Sequence, residues 1–86
     1  MAKPIHLALN PTFEIEIDAG PIADALGVTQ DTFFTLLEQR RISQLCERGT
    51  GEDAGSYRAS FYLDDKRARV VVDRNGRMLG TVERRP

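Results

Sequence analysis

Apolar and polar side chains alternate strictly from Phe13 to Asp18, in the run FEIEID. Phe13, Ile15 and Ile17 fall on one side and Glu14, Glu16 and Asp18 on the other, which is the period of a half-buried strand. Ile5, Leu7 and Leu9 repeat at the same period and predict a preceding strand, with Asn10-Pro11 as the turn between the two. From Gly20-Pro21 the period changes. Proline suits the first turn of a helix because its missing N–H would be unpaired there anyway. Ile22, Ala23 and Leu26 form the apolar stripe, and Gly27 supplies a left-handed ending. Thr29 is a good N-cap for a second helix running from Gln30 to about Arg41. Phe33, Phe34, Leu36, Leu37 and Ile42 give that helix a broad apolar face. Arg40 and Arg41 stand at its C-terminal end, where the helix dipole favours positive charge.

Beyond Ile42 the pattern reads as a β-meander. Ser43 to Arg48 is a predicted strand, and a glycine-rich polar loop follows from Gly49 to Gly55. Tyr57, Ala59, Phe61 and Leu63 alternate with Arg58, Ser60 and Tyr62, giving a second strand. Asp64-Asp65-Lys66-Arg67 turns the chain into a strand over Arg69–Asp73. That strand is centred on Val70-Val71-Val72, apolar on both faces and therefore expected to be central. Asn75-Gly76 is a hairpin signal, because a type I′ turn needs positive φ at both central residues. Met78 to Val82 is the last predicted strand. The sum is an α+β fold: two short helices packed on one face of an antiparallel β-sheet of about four to five strands, in the order strand-helix-helix-β-meander.

At 86 residues the chain is sized for a single domain over 1–86, with 1–4 and 84–86 expected to fray. Hydrophobic residues at 41% and charged residues at 29% argue against wholesale disorder. The opening MAKPIHLALNP is too short and too interrupted by proline to be expected as a signal peptide. No run approaches the roughly 20 apolar residues of a membrane helix. The single cysteine, Cys46, excludes an intrachain disulfide and suits a cytoplasmic setting. The net charge of −1 is unfavourable for a dedicated nucleic-acid binder. It is uneven, however: residues 1–43 hold three bases against six acids, and residues 44–86 hold nine against seven. An anionic partner is expected to prefer the second half.

The segment Gly20–Ile42 has the layout of a helix-turn-helix, with Ala23 four residues before Gly27 and Val28 after the turn. On that reading the 57–73 hairpin is a wing. Thr29, Gln30 and Thr32 then face base edges, and Arg40, Arg41, Lys66, Arg67 and Arg69 meet phosphates. Against it, the second helix balances Asp31 and Glu38 with Arg40 and Arg41, and a strand stands where the unit's first helix belongs. A helical hairpin packed on a sheet explains the same residues.

Other constellations are weaker. The carboxylates Glu14, Glu16 and Asp18 read as a solvated strand face. The G-x-G of the 49–55 loop leads to a strand, not a helix, and Glu52 and Asp53 would repel phosphate. One cysteine and one histidine, Cys46 and His6, cannot build a zinc site, and Cys46 reads as a small core residue rather than a nucleophile. Arg58, Arg67, Arg69, Arg74 and Arg77, interleaved with Tyr57 and Tyr62, could stack single-stranded nucleic acid. Cross-strand ion pairs with Glu47, Asp64, Asp65, Asp73 and Glu83 are the favoured explanation of these arginines.

FEIEIDAGPIADALG at Phe13–Gly27, CERGTGEDAG at Cys46–Gly55 and the VVVDRNGRML run at Val70–Leu79 together cover most of the chain. On these runs the chain resembles a small bacterial family, a domain of unknown function. The resemblance implies a bacterial cytoplasmic protein and carries over no activity and no functional residue. The expectation is a non-enzymatic interaction module, without metal, cofactor or membrane contact, that binds a protein or a small polar ligand as a monomer or an edge-strand homodimer. The alternative is a winged-helix-like DNA-binding protein; a thiol-dependent enzyme is a distant third.

Overall fold

A computed structural model describes residues 4–10, 13–49 and 55–85. The element order is β1 (Pro4–Asn10), β2 (Phe13–Asp18), α1 (Ala19–Leu26), α2 (Gln30–Glu38), β3 (Ile42–Arg48), β4 (Ser56–Leu63), β5 (Lys66–Asp73) and β6 (Glu83–Arg85). The fold is α+β, and its strands divide between two antiparallel sheets, β1-β2 and β3-β4-β5-β6.

The alternating FEIEID run behaves as its period requires. Ile5 lies opposite Ile17 and Leu7 opposite Ile15, all four buried, while His6, Glu14 and Glu16 are exposed on the other face of the β1-β2 hairpin. The third carboxylate, Asp18, caps α1 by accepting from the Gly20 N–H at 3.0 Å, so the helix begins one residue before the expected Gly20. At the other end Gly27, with φ 76, closes a Schellman motif: its N–H reaches Asp24 and the Val28 N–H reaches Ala23, each at 3.0 Å. A second Schellman pair ends α2 at Glu38 instead of running to Arg41. The Arg40 and Arg41 N–H groups bond Leu37 and Leu36, which holds Arg40 at φ 60.

One core joins the apolar hairpin face (Ile5, Ile15, Ile17), the inner helix faces (Ile22, Leu26, Phe33) and the inward residues of the four-stranded sheet (Phe61, Val70, Val72). Phe33 of α2 meets Phe61 of β4 edge-on, with ring centroids 5.9 Å apart. Helices and hairpin therefore cover a single face of that sheet.

Several expected boundaries shift. β5 starts at Lys66, not Arg69, because the chain reverses in only Asp64-Asp65, between the paired Leu63 and Lys66. Central placement of the valine run holds, but Val71 is 41% exposed because no layer among the described residues covers its face. Asn75-Gly76 does turn the chain, though not as type I′. Gly76 alone of the two has positive φ, at 83, its N–H bonds Asp73 at 3.0 Å, and Asp73 N–H bonds Arg77 at 2.9 Å. This is the three-residue loop that ends in a left-handed residue. The Asp73 carboxylate holds it by accepting from the Asn75 and Arg77 N–H groups. The strand expected over Met78–Val82 is reduced to a bridge between Val72 and Met78. Pairing resumes at Arg69–Glu83, so the four residues Leu79–Val82 return against only Val70 and Val71 on β5. Arg84 and Arg85, expected to fray, form β6, and Pro4 stands in β1. The Pro11 half of the first turn and residues 50–54 of the glycine loop lie outside the described residues.

Candidate functional site

Among the described residues, no layer covers the far side of the four-stranded sheet. Register places Ser43, Leu45 and Glu47 of β3 opposite Tyr62, Ser60 and Arg58 of β4, which in turn face Arg67, Arg69 and Val71 of β5. The three large apolar side chains that stand out to solvent among the described residues belong here: Leu45 at 49%, Val71 at 41% and Leu79 at 56% exposure. Leu79 is held beside Val71 by its N–H bond to the Val71 carbonyl. Val71, Leu79, Arg58 and Arg69 border a shallow cavity of about 310 Å³. Arg58 donates twice to Glu47 across the strands, at 2.9 and 3.1 Å, and Arg69 Nε donates to the fully buried Ser60 hydroxyl at 3.1 Å. The Arg58–Glu47 pair is one of the cross-strand ion pairs that the sequence favours over base stacking, whereas Arg69 takes a hydroxyl partner instead of a carboxylate. β3 forms one edge of the sheet and has no strand on its outer side among the described residues.

A second feature lies at one end of the same sheet. Antiparallel register brings the start of β3, the β4-β5 turn and the end of β6 together, and with them Arg41, Lys66, Arg67, Arg84 and Arg85. Arg40 precedes them on the α2–β3 connection. Asp64 answers Arg41 at 4.0 Å. Arg67 lies directly opposite Arg85, and its Nε is buried with no hydrogen-bond partner among the described residues.

The remaining residues of the DNA reading sit apart from this end. The Thr29 hydroxyl accepts from the Thr32 N–H at 3.1 Å and donates to the Thr32 hydroxyl at 2.9 Å, so both serve the cap of α2. Gln30 opens the helix and is half-buried. The exposed side of α2 carries Asp31, Thr32, Thr35 and Glu38, two acids without a base. Arg69 is on the open face, engaged with Ser60. The hairpin expected as a wing is the centre of the sheet, flanked by β3 and β6.

Cys46 is half-buried against the core, and burial, then the neighbouring Glu47 carboxylate, pushes its thiol above the ordinary value. A nucleophilic thiol needs the opposite shift. His6 bonds Glu14 and approaches Glu16 at 3.6 Å. Among the described residues no group of three or more His, Cys, Asp or Glu side chains is placed to hold a metal ion. Nor is any helix among them long and apolar enough to cross a membrane.

A model of a family of unknown function matches residues 6–84, which include both helices, β2 to β5 and most of β1 and β6. The chain belongs to DUF6522, a family of unknown function. No curated protein and no solved structure matches it. Membership of DUF6522 therefore brings no site residues, and the surface described above is the source of any functional reading. Sequence reasoning had Lys66 and Arg67 but missed Arg84, Arg85, Leu45, Val71 and Leu79. The Arg84-Arg85 doublet was visible but lay in a stretch expected to fray. The three apolar residues carry no local mark that their face stays open.

Proposed function

We propose that this DUF6522 chain is a non-enzymatic interaction module that docks a protein partner on the open face of the four-stranded sheet. The observation that carries it is the gathering of Leu45, Val71 and Leu79, the exposed large apolar residues among those described, on a sheet face that no described residues cover with a layer. Exposed apolar surface rimmed by polar side chains marks association sites, where burying it supplies the driving force. Arg58, Arg69 and Glu47 supply that rim, and their long stems add apolar area. The cationic end, with Arg67 and Arg85, favours a partner that is acidic beside its apolar contact. In-cell photo-crosslinking from position 71 identifies the partner, with position 24 on the exposed side of α1 as control. Binding of the purified partner then falls about tenfold or more in Val71→Asp, the loss of about 1.4 kcal/mol. Equal crosslinking from both positions, or unchanged affinity of Val71→Asp, would remove the proposal.

The second reading is DNA binding, and the observation in its favour is the meeting of Arg41, Lys66 and Arg67 at one end of the sheet. Asp31 and Glu38 on the exposed side of α2 oppose entry of that helix into a groove. Titration with mixed-sequence duplex DNA at low salt decides it. Salt-sensitive amide shifts in Thr29–Arg41 and Lys66–Arg69 support it; a silent spectrum ends it.

A further inference from the structure

Where α1 ends beside β5 and β6, an open cleft of about 350 Å³ is lined by Ala25, Leu26, Gly27, Lys66, Arg84 and Arg85. Three cations and no carboxylate line it. Lys66, Arg84 and Arg85 form no ion pair with any described residue. One of the three charges has a partial structural explanation. The Lys66 ammonium lies 3.6 Å from where a Cβ on Gly27 would stand, close to the C-terminus of α1, whose last carbonyls favour a cation. Arg84 and Arg85 have no such explanation.

We infer that this cleft binds the phosphate group of a small phosphorylated molecule. The guanidinium fork of Arg84, opposite Ala68 on the helix side of the sheet, matches phosphate oxygens in geometry, and Lys66, opposite Leu63 on the same side, adds a point charge; Arg85 borders the cleft from the strand end. The neutral body of the ligand lies along Ala25 and Gly27. The volume sits at the lower end of the roughly 300–1,000 Å³ range of small-molecule sites, which suits a phosphate with a short organic body. An extended polyanion fits less well. Exposed Asp64-Asp65 at the β4-β5 turn directly precede Lys66 and cut the positive surface short. The site uses α1, the start of β5 and β6, and none of Leu45, Val71 or Leu79.

Phenyl phosphate titrated into labelled full-length chain tests the inference, with sodium chloride at matched ionic strength and a single-stranded oligonucleotide in parallel. Saturable amide shifts at residues 25–27, 66, 84 and 85 are expected with phenyl phosphate and not with chloride. Arg84→Ala and, separately, Lys66→Ala each weaken binding about tenfold, the loss of one charge-assisted contact. Lys66 lies next to a turn, so its variant keeps the test open if Arg84→Ala disturbs β6. Val71→Asp leaves phenyl phosphate binding unchanged, which separates this site from the open face. Shifts matched by chloride, no saturation, or binding of the oligonucleotide alone would overturn the inference.

Discussion

Single residues carry the sharpest constraints in this chain. Gly76 turns at φ 83 with its α-carbon packed on the Glu16 carbonyl of β2, so any Cβ there collides with backbone. Gly76→Ala is expected to cost about 3 kcal/mol, combining left-handed strain with overpacking, measured by urea unfolding. Arg40 presents the reverse case. It holds a left-handed conformation with a β-carbon, at φ 60, where a Schellman ending prefers glycine. Arg40→Gly should raise stability by about 0.5–1 kcal/mol in the same assay. Cys46 yields a pH prediction. Its folded thiol titrates above the ordinary range, so the stability it contributes is full below that range and is lost as pH rises through the raised value. Alkylation of the native protein should reach half-maximal rate at a higher pH than alkylation of the unfolded chain. Asn75-Gly76 was legible as a turn, but its type was not. The Asp73 carboxylate, bonded to two N–H groups in the loop, sets a geometry that the dipeptide alone does not specify.

At the scale of elements, local chemistry was largely readable. The FEIEID strand, the Gly27 stop, the Thr29 cap and the Tyr57–Leu63 strand each follow from period and capping, and each stands where those signals put it. Thr29→Ala should cost about 1 kcal/mol of unfolding free energy through loss of the cap, whereas exposed Glu38→Ala should stay within about 0.5 kcal/mol. The misplaced boundaries share a cause. The end of α2 depends on Arg40 accepting a conformation that its side chain disfavours. The last strand depends on where β5 offers free backbone, and the returning chain detours at Leu79–Val82 before it pairs again at Glu83. Neither is encoded in the hydropathy of the segment itself.

Across the whole molecule the two faces of one strand have opposite duties. Val70 and Val72 are buried in the common core while Val71 between them meets solvent. Val72→Ala should therefore cost about 2 kcal/mol in thermal or urea unfolding, and Val71→Asp less than about 0.5 kcal/mol. Equal effects would mean that the open face is covered in solution. The candidate surfaces were only half legible because each is a product of register. Lys66 and Arg67 are neighbours in the chain, but Arg41, Arg84 and Arg85 reach them only when β3, β4, β5 and β6 pair. By itself the sequence determined the α+β class, the capped helices and the alternating strands, because period, glycine and capping side chains act within a few residues. Tertiary structure alone decided that the strands split into two sheets, that one sheet face has no layer over it among the described residues and that the cations converge at one end. Those outcomes depend on which distant segments share a core and a hydrogen-bond ladder, and no local pattern records that choice.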